Sequence, residues 1–389
     1  ISIKINSLVI LLALVVFSIR AIQNPPVIKK KYLLYTIPLL LYFLVQLIPL
    51  GDRLIQISSW KEIEQQLPLL ALPLLFMLSP IKKRDFTNVA SSGLFFAVLF
   101  ASIIMILESA LQFFNSFDFN VFTYHSLSEP FDSGAIYFSF FILLVLFRIN
   151  EMHWLFKRKW IGFSAASILV LVLFLLASKL ILVIGILLLL IKQGRFIKER
   201  LKFSRFTSLG IIVFLMILLI PLGQRFSQIS NPRLDIVNKE SYSYDSPLNG
   251  LNLRLIQSRF GFEILQQEKA WTNGVGMDRS QELLNKKYEE KGIYTGYEGT
   301  ADTGYLNYNF HNQYMETLVR SGIIGILALL IIFSVLIKTS SKNKFASPWE
   351  IGIILLFFIT ESVLERQIGI VYFCMLYSAY FPTKLRNEK

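Results

Sequence analysis

The chain has 389 residues, 54% of them hydrophobic and only 17% charged, with a mean hydropathy of +0.55. Apolar runs of about 15 to 25 residues recur along it, which excludes a disordered chain or an ordinary soluble domain and points to repeated membrane crossings. The formal charge of +13 does not call for nucleic acid, because its distribution between the runs follows the positive-inside bias of membrane proteins.

No lipid-facing backbone group can go unpaired in hydrocarbon, so the expected fold is all-α, a polytopic helical membrane protein. The apolar runs predict about eleven spans, near 7–22, 33–50, 64–80, 88–114, 134–149, 160–177, 179–192, 206–222, 317–337, 349–364 and 367–382. The third is Pro-rich and short, which suggests a kinked or re-entrant segment. The run from Trp160 to Ile191 is too long for one span and breaks at Ser178-Lys179.

One set of alternate connections holds most of the 39 Lys and Arg, including Lys29-Lys30-Lys31, Lys82-Lys83-Arg84 and Lys157-Arg158-Lys159. The opposite short loops hold few, among them Lys4, Arg53, Lys61, Lys179 and Arg366. That alternation makes the first set cytoplasmic, with residue 1 outside and residue 389 inside. The chain begins with Ile and shows no cleavable signal peptide, so one further helix before Ile1 is expected, about twelve spans in all. The expected organisation is a membrane bundle over 1–222, a large loop subdomain on the outer face over 223–316, and C-terminal membrane helices over 317–389.

Within the large loop, Leu251 to Ala270 carries apolar residues at helical spacing, notably Phe260, Phe262, Ile264 and Leu265, and reads as an amphipathic helix at the membrane surface. Trp271 to Asp278 reads as a turn in which Gly274 and Gly276 permit close backbone approach. Arg279 to Lys291 reads as a second helix, and Tyr294 to Tyr308 is rich in Gly and Tyr. The loop ends in Phe310-His311-Asn312-Gln313-Tyr314 and runs into the apolar stretch after Gly322.

His311 is one of three histidines, with His125 and His153 far away in sequence. At the mouth of a span it can either move a proton or, together with Asn312, simply cap and anchor the helix. Arg254 and Arg259 sit on the predicted loop helix, where a guanidinium is either solvated or grips a phosphate through paired hydrogen bonds. Lys179 sits at an outer turn, where it snorkels or finds an anionic partner. Glu361, Glu365 and Arg366 read as an ion pair near the outer end of a span, ahead of a catalytic role. Outer-loop tyrosines, among them Tyr242, Tyr244, Tyr294, Tyr297, Tyr305 and Tyr308, either stack on sugar rings or anchor at the interface. No metal cluster, Walker loop or Asp-x-Asp pair stands out, and the single cysteine, Cys374, precludes an intrachain disulfide or a Cys-based zinc site.

A large outer loop ending in His311-Asn312-x-Tyr314 and then Leu318-Val319-x-x-Gly322-Ile323-Ile324-Gly325, preceded by Leu253-Arg254 and Asn273-Gly274-Val275-Gly276, resembles the O-antigen ligase / O-antigen polymerase family. The segment from Glu361 to Ile370 is similar to that of family members from the Bacteroidetes branch.

The resemblance implies a GT-C-type glycosyltransferase in the bacterial inner membrane. It would move a glycan from an undecaprenyl-pyrophosphate carrier to an acceptor on the periplasmic face, with inversion and with neither metal nor cofactor. The acceptor would be lipid A core, a glycan or a protein. The alternatives are a repeat-unit polymerase of the same family or a non-enzymatic transporter of lipid-linked glycans.

His311 matches the family histidine, and Arg254 the loop arginine. Arg259, Asn312, Tyr314 and Tyr305 join them as substrate contacts. Lys179 follows Ser178 where the family has arginine; it keeps the charge and lacks the two-pronged donor. The segment from Tyr124 to Ser128 is followed by Asp132-Ser133-Gly134, where the branch often has His-Pro.

Overall fold

The computed structural model describes residues 3–23, 30–55, 57–78, 83–131, 134–149, 152, 154–176, 181, 185, 234–244, 246, 248–297, 299–300, 302–340 and 348–379. Every regular element among them is helical, as the apolar patterning requires. The helices are α1 (Ile3–Gln23), α2 (Lys30–Leu47), α3 (Ile57–Gln66), α4 (Pro68–Leu78), α5 (Lys83–Ser116), α6 (Tyr124–Ser128), α7 (Ala135–Arg148), α8 (Lys159–Leu176), α9 (Leu234–Val237), α10 (Gly250–Gln267), α11 (Ser280–Glu290), α12 (Gln313–Ser340), α13 (Pro348–Thr360) and α14 (Gln367–Ala379).

Among the described residues, two stretches are long and apolar enough to cross a membrane, Ser91–Ser116 and Gln313–Ser340. Shorter apolar helices occur at Ile10–Gln23, Tyr35–Gly51, Trp160–Leu176, Glu350–Thr360 and Gln367–Ser378. The Pro-rich third span is divided between α3 and α4 at Leu67-Pro68; proline lacks the N–H that would continue the ladder and suits a first helical turn instead. The spans expected at 179–192 and 206–222 lie outside the described residues, apart from the helical Ile181 and Gly185.

By packing, the chain divides into two units, residues 82–230 and residues 1–81 with 231–389. In the first, α5, α7 and α8 pack together, and α7 is buried along almost its whole length, from Ala135 to Phe147. In the second, α12 packs along α2 and α13, and α4 packs along α2 and α14. The described part of the large loop, from Leu234 onward, belongs to this second unit.

The loop has a core of its own. Ile256, Phe260, Ile264 and Leu265 of α10 are buried with Leu284 and Tyr288 of α11, Ile293, Phe310, and Met315 and Val319 of α12. The predicted amphipathic helix exists, but its apolar face turns into this core; Phe262, on the other side, is exposed and stacks on Trp271. Asn249 starts α10 by accepting from the Leu251 and Asn252 N–H groups, the usual role of an N-cap asparagine.

The turn after α10 seats on a break in α12. Gly322 adopts φ 63°, ψ −162° within that helix, a region open essentially to glycine alone. The break frees backbone groups, and the turn takes them up. Val275 N donates to Val319 O at 2.8 Å, Gly276 N to Arg320 O at 3.0 Å, and Ile323 N to Trp271 O at 2.9 Å. A Cβ on Gly274 would lie 2.4 Å from the Arg320 carbonyl, so the approach requires glycine.

Candidate active site

The connection between α13 and α14, residues 361–366, carries two carboxylates. It holds a single 3-10 turn, Val363–Glu365, and side-chain amides tie down its backbone: Leu364 N donates to Gln313 Oε1 at 2.6 Å, and Gln66 Nε2 donates to Leu364 O at 2.8 Å. The turn is thereby tied to α12 and α3 at once, which fixes where its carboxylates point.

Glu361 is the first of them. Its N–H closes the last hydrogen bond of α13, to Phe357 O at 3.0 Å, and its side chain, 5% exposed, lies between two loop residues. Arg254 Nη2 stands 3.3 Å from Oε1, and His311 Nδ1 stands 3.4 Å from Oε2. Arg254 also donates from Nε to Thr360 O at 3.3 Å and from Nη1 to Gly250 O at 3.0 Å. A carboxylate only accepts, so its contact with Nδ1 calls for a proton there; in the neutral ring the lone pair is then on Nε2. The His311 and Arg254 side chains keep 22% and 27% exposure, enough to meet a substrate.

His311 is held in place by its backbone. Its φ is +46°, the left-handed region that few residues other than glycine adopt. Asn309 Oδ1 accepts its N–H at 2.9 Å, and Phe310 before it is buried in the loop core. Strain of this kind, maintained by its surroundings, is characteristic of residues with work to do.

Behind this triad lies a second polar cluster. Arg320 pairs with Glu316 (Nε–Oε1 2.7 Å) and with Glu365 (Nη2–Oε1 2.9 Å), and it reaches Ser280 Oγ at 3.3 Å. Asn309 donates to Glu365, and Ser362 donates to Glu316 Oε2 at 3.2 Å. Glu365 lies in the turn, outside both flanking helices. Burial, reinforced by the Glu316 carboxylate, pushes it up to about 7. Asn309 thus links the clusters, bonding Glu365 through its amide nitrogen and the His311 backbone through its oxygen.

Of the residues singled out from the sequence, the structure unites His311 and Arg254 on Glu361. Asn312 is the N-cap of α12, accepting from Tyr314 N at 2.9 Å and Met315 N at 3.0 Å. Tyr314 points into the helices, donating to Leu355 O at 3.0 Å. Tyr305 packs partly buried against the loop core. Arg259 is elsewhere on α10, bound to Glu263 at 2.7 Å and to the Val237 and Lys239 carbonyls, each at 2.7 Å. Lys179 and His153 lie outside the described residues. Among the described residues, no group of three His, Cys, Asp or Glu side chains is placed to hold a metal.

The bridging role of Glu361 was not read from the sequence, where it appeared as a structural ion pair with its neighbours. Its ion-pair partner here is Arg254, and that of Glu365 is Arg320. The available signal was an acidic residue at the end of an apolar helix, where an uncompensated charge is costly.

Fold and site together define a helical membrane protein whose polar loop sets a histidine and an arginine around one carboxylate at the end of an apolar helix. Residues 168–330 match the family model described as O-antigen ligase, which supports the resemblance to the O-antigen ligase/polymerase family. The match takes in Arg254, His311, Asn312 and the Gly322 break and ends before Glu361. Neither a curated protein nor a solved structure matches the chain.

Proposed function

We propose that the protein is a glycosyltransferase of the bacterial inner membrane, transferring a glycan from an undecaprenyl-pyrophosphate carrier to an acceptor at the periplasmic face. The observation that carries this reading is the convergence of His311 and Arg254 on Glu361, supported by the match of residues 168–330 to the O-antigen ligase family model. The acceptor hydroxyl approaches His311 Nε2, which takes its proton as the oxygen attacks the anomeric carbon. The bond from that carbon to the pyrophosphate oxygen breaks, and the carrier pyrophosphate departs with the electron pair. Direct displacement inverts the anomeric centre.

Arg254 stabilises the charge that develops on the departing pyrophosphate, with Lys179 as a second cation. Glu361 positions His311 and Arg254 against each other and holds the imidazole tautomer. The reaction so written needs neither metal nor cofactor. Ligase and repeat-unit polymerase share this chemistry and differ in the acceptor.

The test is glycan profiling of a deletion strain complemented with wild type or His311→Ala. Glycan left on its lipid carrier identifies a ligase; single repeat units at the surface identify a polymerase. Wild-type glycans in the His311→Ala strain, with the variant protein present and folded, would refute the assignment of His311.

A further inference from the structure

One face of α11 bears Gln281, Asn285 and Tyr288, spaced i, i+4 and i+7, and all three engage the segment that leads to His311. Gln281 Nε2 donates to Tyr308 O at 3.2 Å and Tyr288 OH to the same oxygen at 3.0 Å. Asn285 Nδ2 donates to Asn307 Oδ1 at 3.2 Å, and its Oδ1 accepts from Asn307 N at 3.0 Å and from Gln281 Nε2 at 2.9 Å. Asn307 is itself left-handed, with φ 65°.

This polar network fixes the backbone on either side of an exposed ring. Tyr308 keeps 44% exposure. Its ring centroid lies 5.5 Å from that of Tyr305 and 5.8 Å from that of the His311 imidazole, both pairs edge to face. The hydrogen bonds within the network do not use Gln281 Oε1 or Asn307 Nδ2, one an acceptor and one a donor. A rigid aromatic ring beside uncharged amides suits a sugar: the ring takes the apolar C–H face, and the amides take the hydroxyls. No charged side chain takes part in the network, so it suits a neutral sugar rather than an acidic one.

We propose that Tyr308, with Gln281 and Asn307, forms a subsite for a neutral sugar ring at the end of a glycan acceptor, setting its hydroxyl beside His311. The proposal rests on the transferase reading above and narrows it: the acceptor is a glycan, not a protein side chain.

The test uses the full chain in lipid nanodiscs. The probe is the oligosaccharide released by mild acid from the host strain's own surface glycan and core, followed by saturation-transfer NMR and titration. Wild type and Tyr308→Phe bind alike, because both keep the ring. Tyr308→Ala weakens binding about tenfold, equivalent to the loss of one stacking contact. His311→Ala keeps its binding and loses transfer.

Binding by Tyr308→Ala within about twofold of wild type would overturn the subsite, as would no saccharide binding by wild type. The two readings fail separately. If wild type binds saccharide through Tyr308 and transfers nothing, the transferase reading falls and the subsite stands. If Tyr308→Ala transfers with an unchanged acceptor KM, the subsite falls and the transferase reading stands.

Discussion

Gly322 and Thr272 touch backbone to backbone: a Cβ on Gly322 would lie 2.2 Å from the Thr272 carbonyl oxygen. This contact is one half of a reciprocal seat, whose other half sets Gly274 against Arg320. An alanine at 322 faces both a forbidden dihedral and a clash. Gly322→Ala should therefore cost about 3 kcal/mol or more, lowering the thermal unfolding midpoint in detergent, and Gly274→Ala should behave similarly. Midpoints unchanged in both variants would show that the break in α12 is not required for loop docking.

That break was not legible in the sequence. The apolar run continues on both sides of Gly322, and a glycine inside a helix is an ordinary cost of about 1 kcal/mol. Only the turn that fills the gap distinguishes it. The loop helices were legible, because Phe260, Ile264 and Leu265 recur at helical spacing and Gly274 and Gly276 mark the turn between. What they pack against was not: periodicity reports an apolar face without naming its partner, so α10 was expected on the membrane surface and instead packs with α11 and α12. The meeting of Arg254 with Glu361 spans 107 positions, a distance at which no local pattern carries information.

Arg254 and Arg259 belong to one helix and should separate experimentally. Every hydrogen bond of Arg259 ends on Glu263 or on the carbonyls of Val237 and Lys239. Burial favours the neutral form of Glu263, yet Arg259 and Lys287 hold its carboxyl below the usual range. Arg259→Ala should then destabilise the loop by about 1–3 kcal/mol while the folded fraction remains active. Arg254→Ala should fold and lose about 10²-fold or more in transfer rate. The check is thermal unfolding and transfer assayed on the same preparations. A folded, inactive Arg259→Ala would give that residue a substrate role.

The Glu365 carboxyl gives the fold a pH dependence whose sign follows from its displacement. Its folded value, about 7, is above that of an ordinary glutamate. The folded state therefore binds its proton more tightly than the unfolded chain does. Stability from this group is full below the unfolded value and is lost as pH rises through about 7. The unfolding midpoint should fall between pH 5.5 and pH 8, and Glu365→Gln, always neutral, should flatten that slope. A wild-type midpoint that instead rises across the window would contradict the assignment.

Glu361 is the strictest test of the site, because Gln is nearly the same shape and lacks the charge. Glu361→Gln keeps an acceptor for one partner, yet its amide nitrogen can only donate, so His311 and Arg254 cannot both be served as before. If Glu361 acts by holding the imidazole with its proton on Nδ1, the variant should fold normally, keep its acceptor KM and lose about 10²-fold in kcat. Residues acting as a unit are non-additive. Glu361→Gln combined with His311→Ala should then be no slower than His311→Ala alone. A further multiplicative loss in the double variant would separate the carboxylate from the histidine and assign Glu361 to the pyrophosphate side through Arg254, while an unchanged kcat in the single variant would leave it only the structural role of closing the turn.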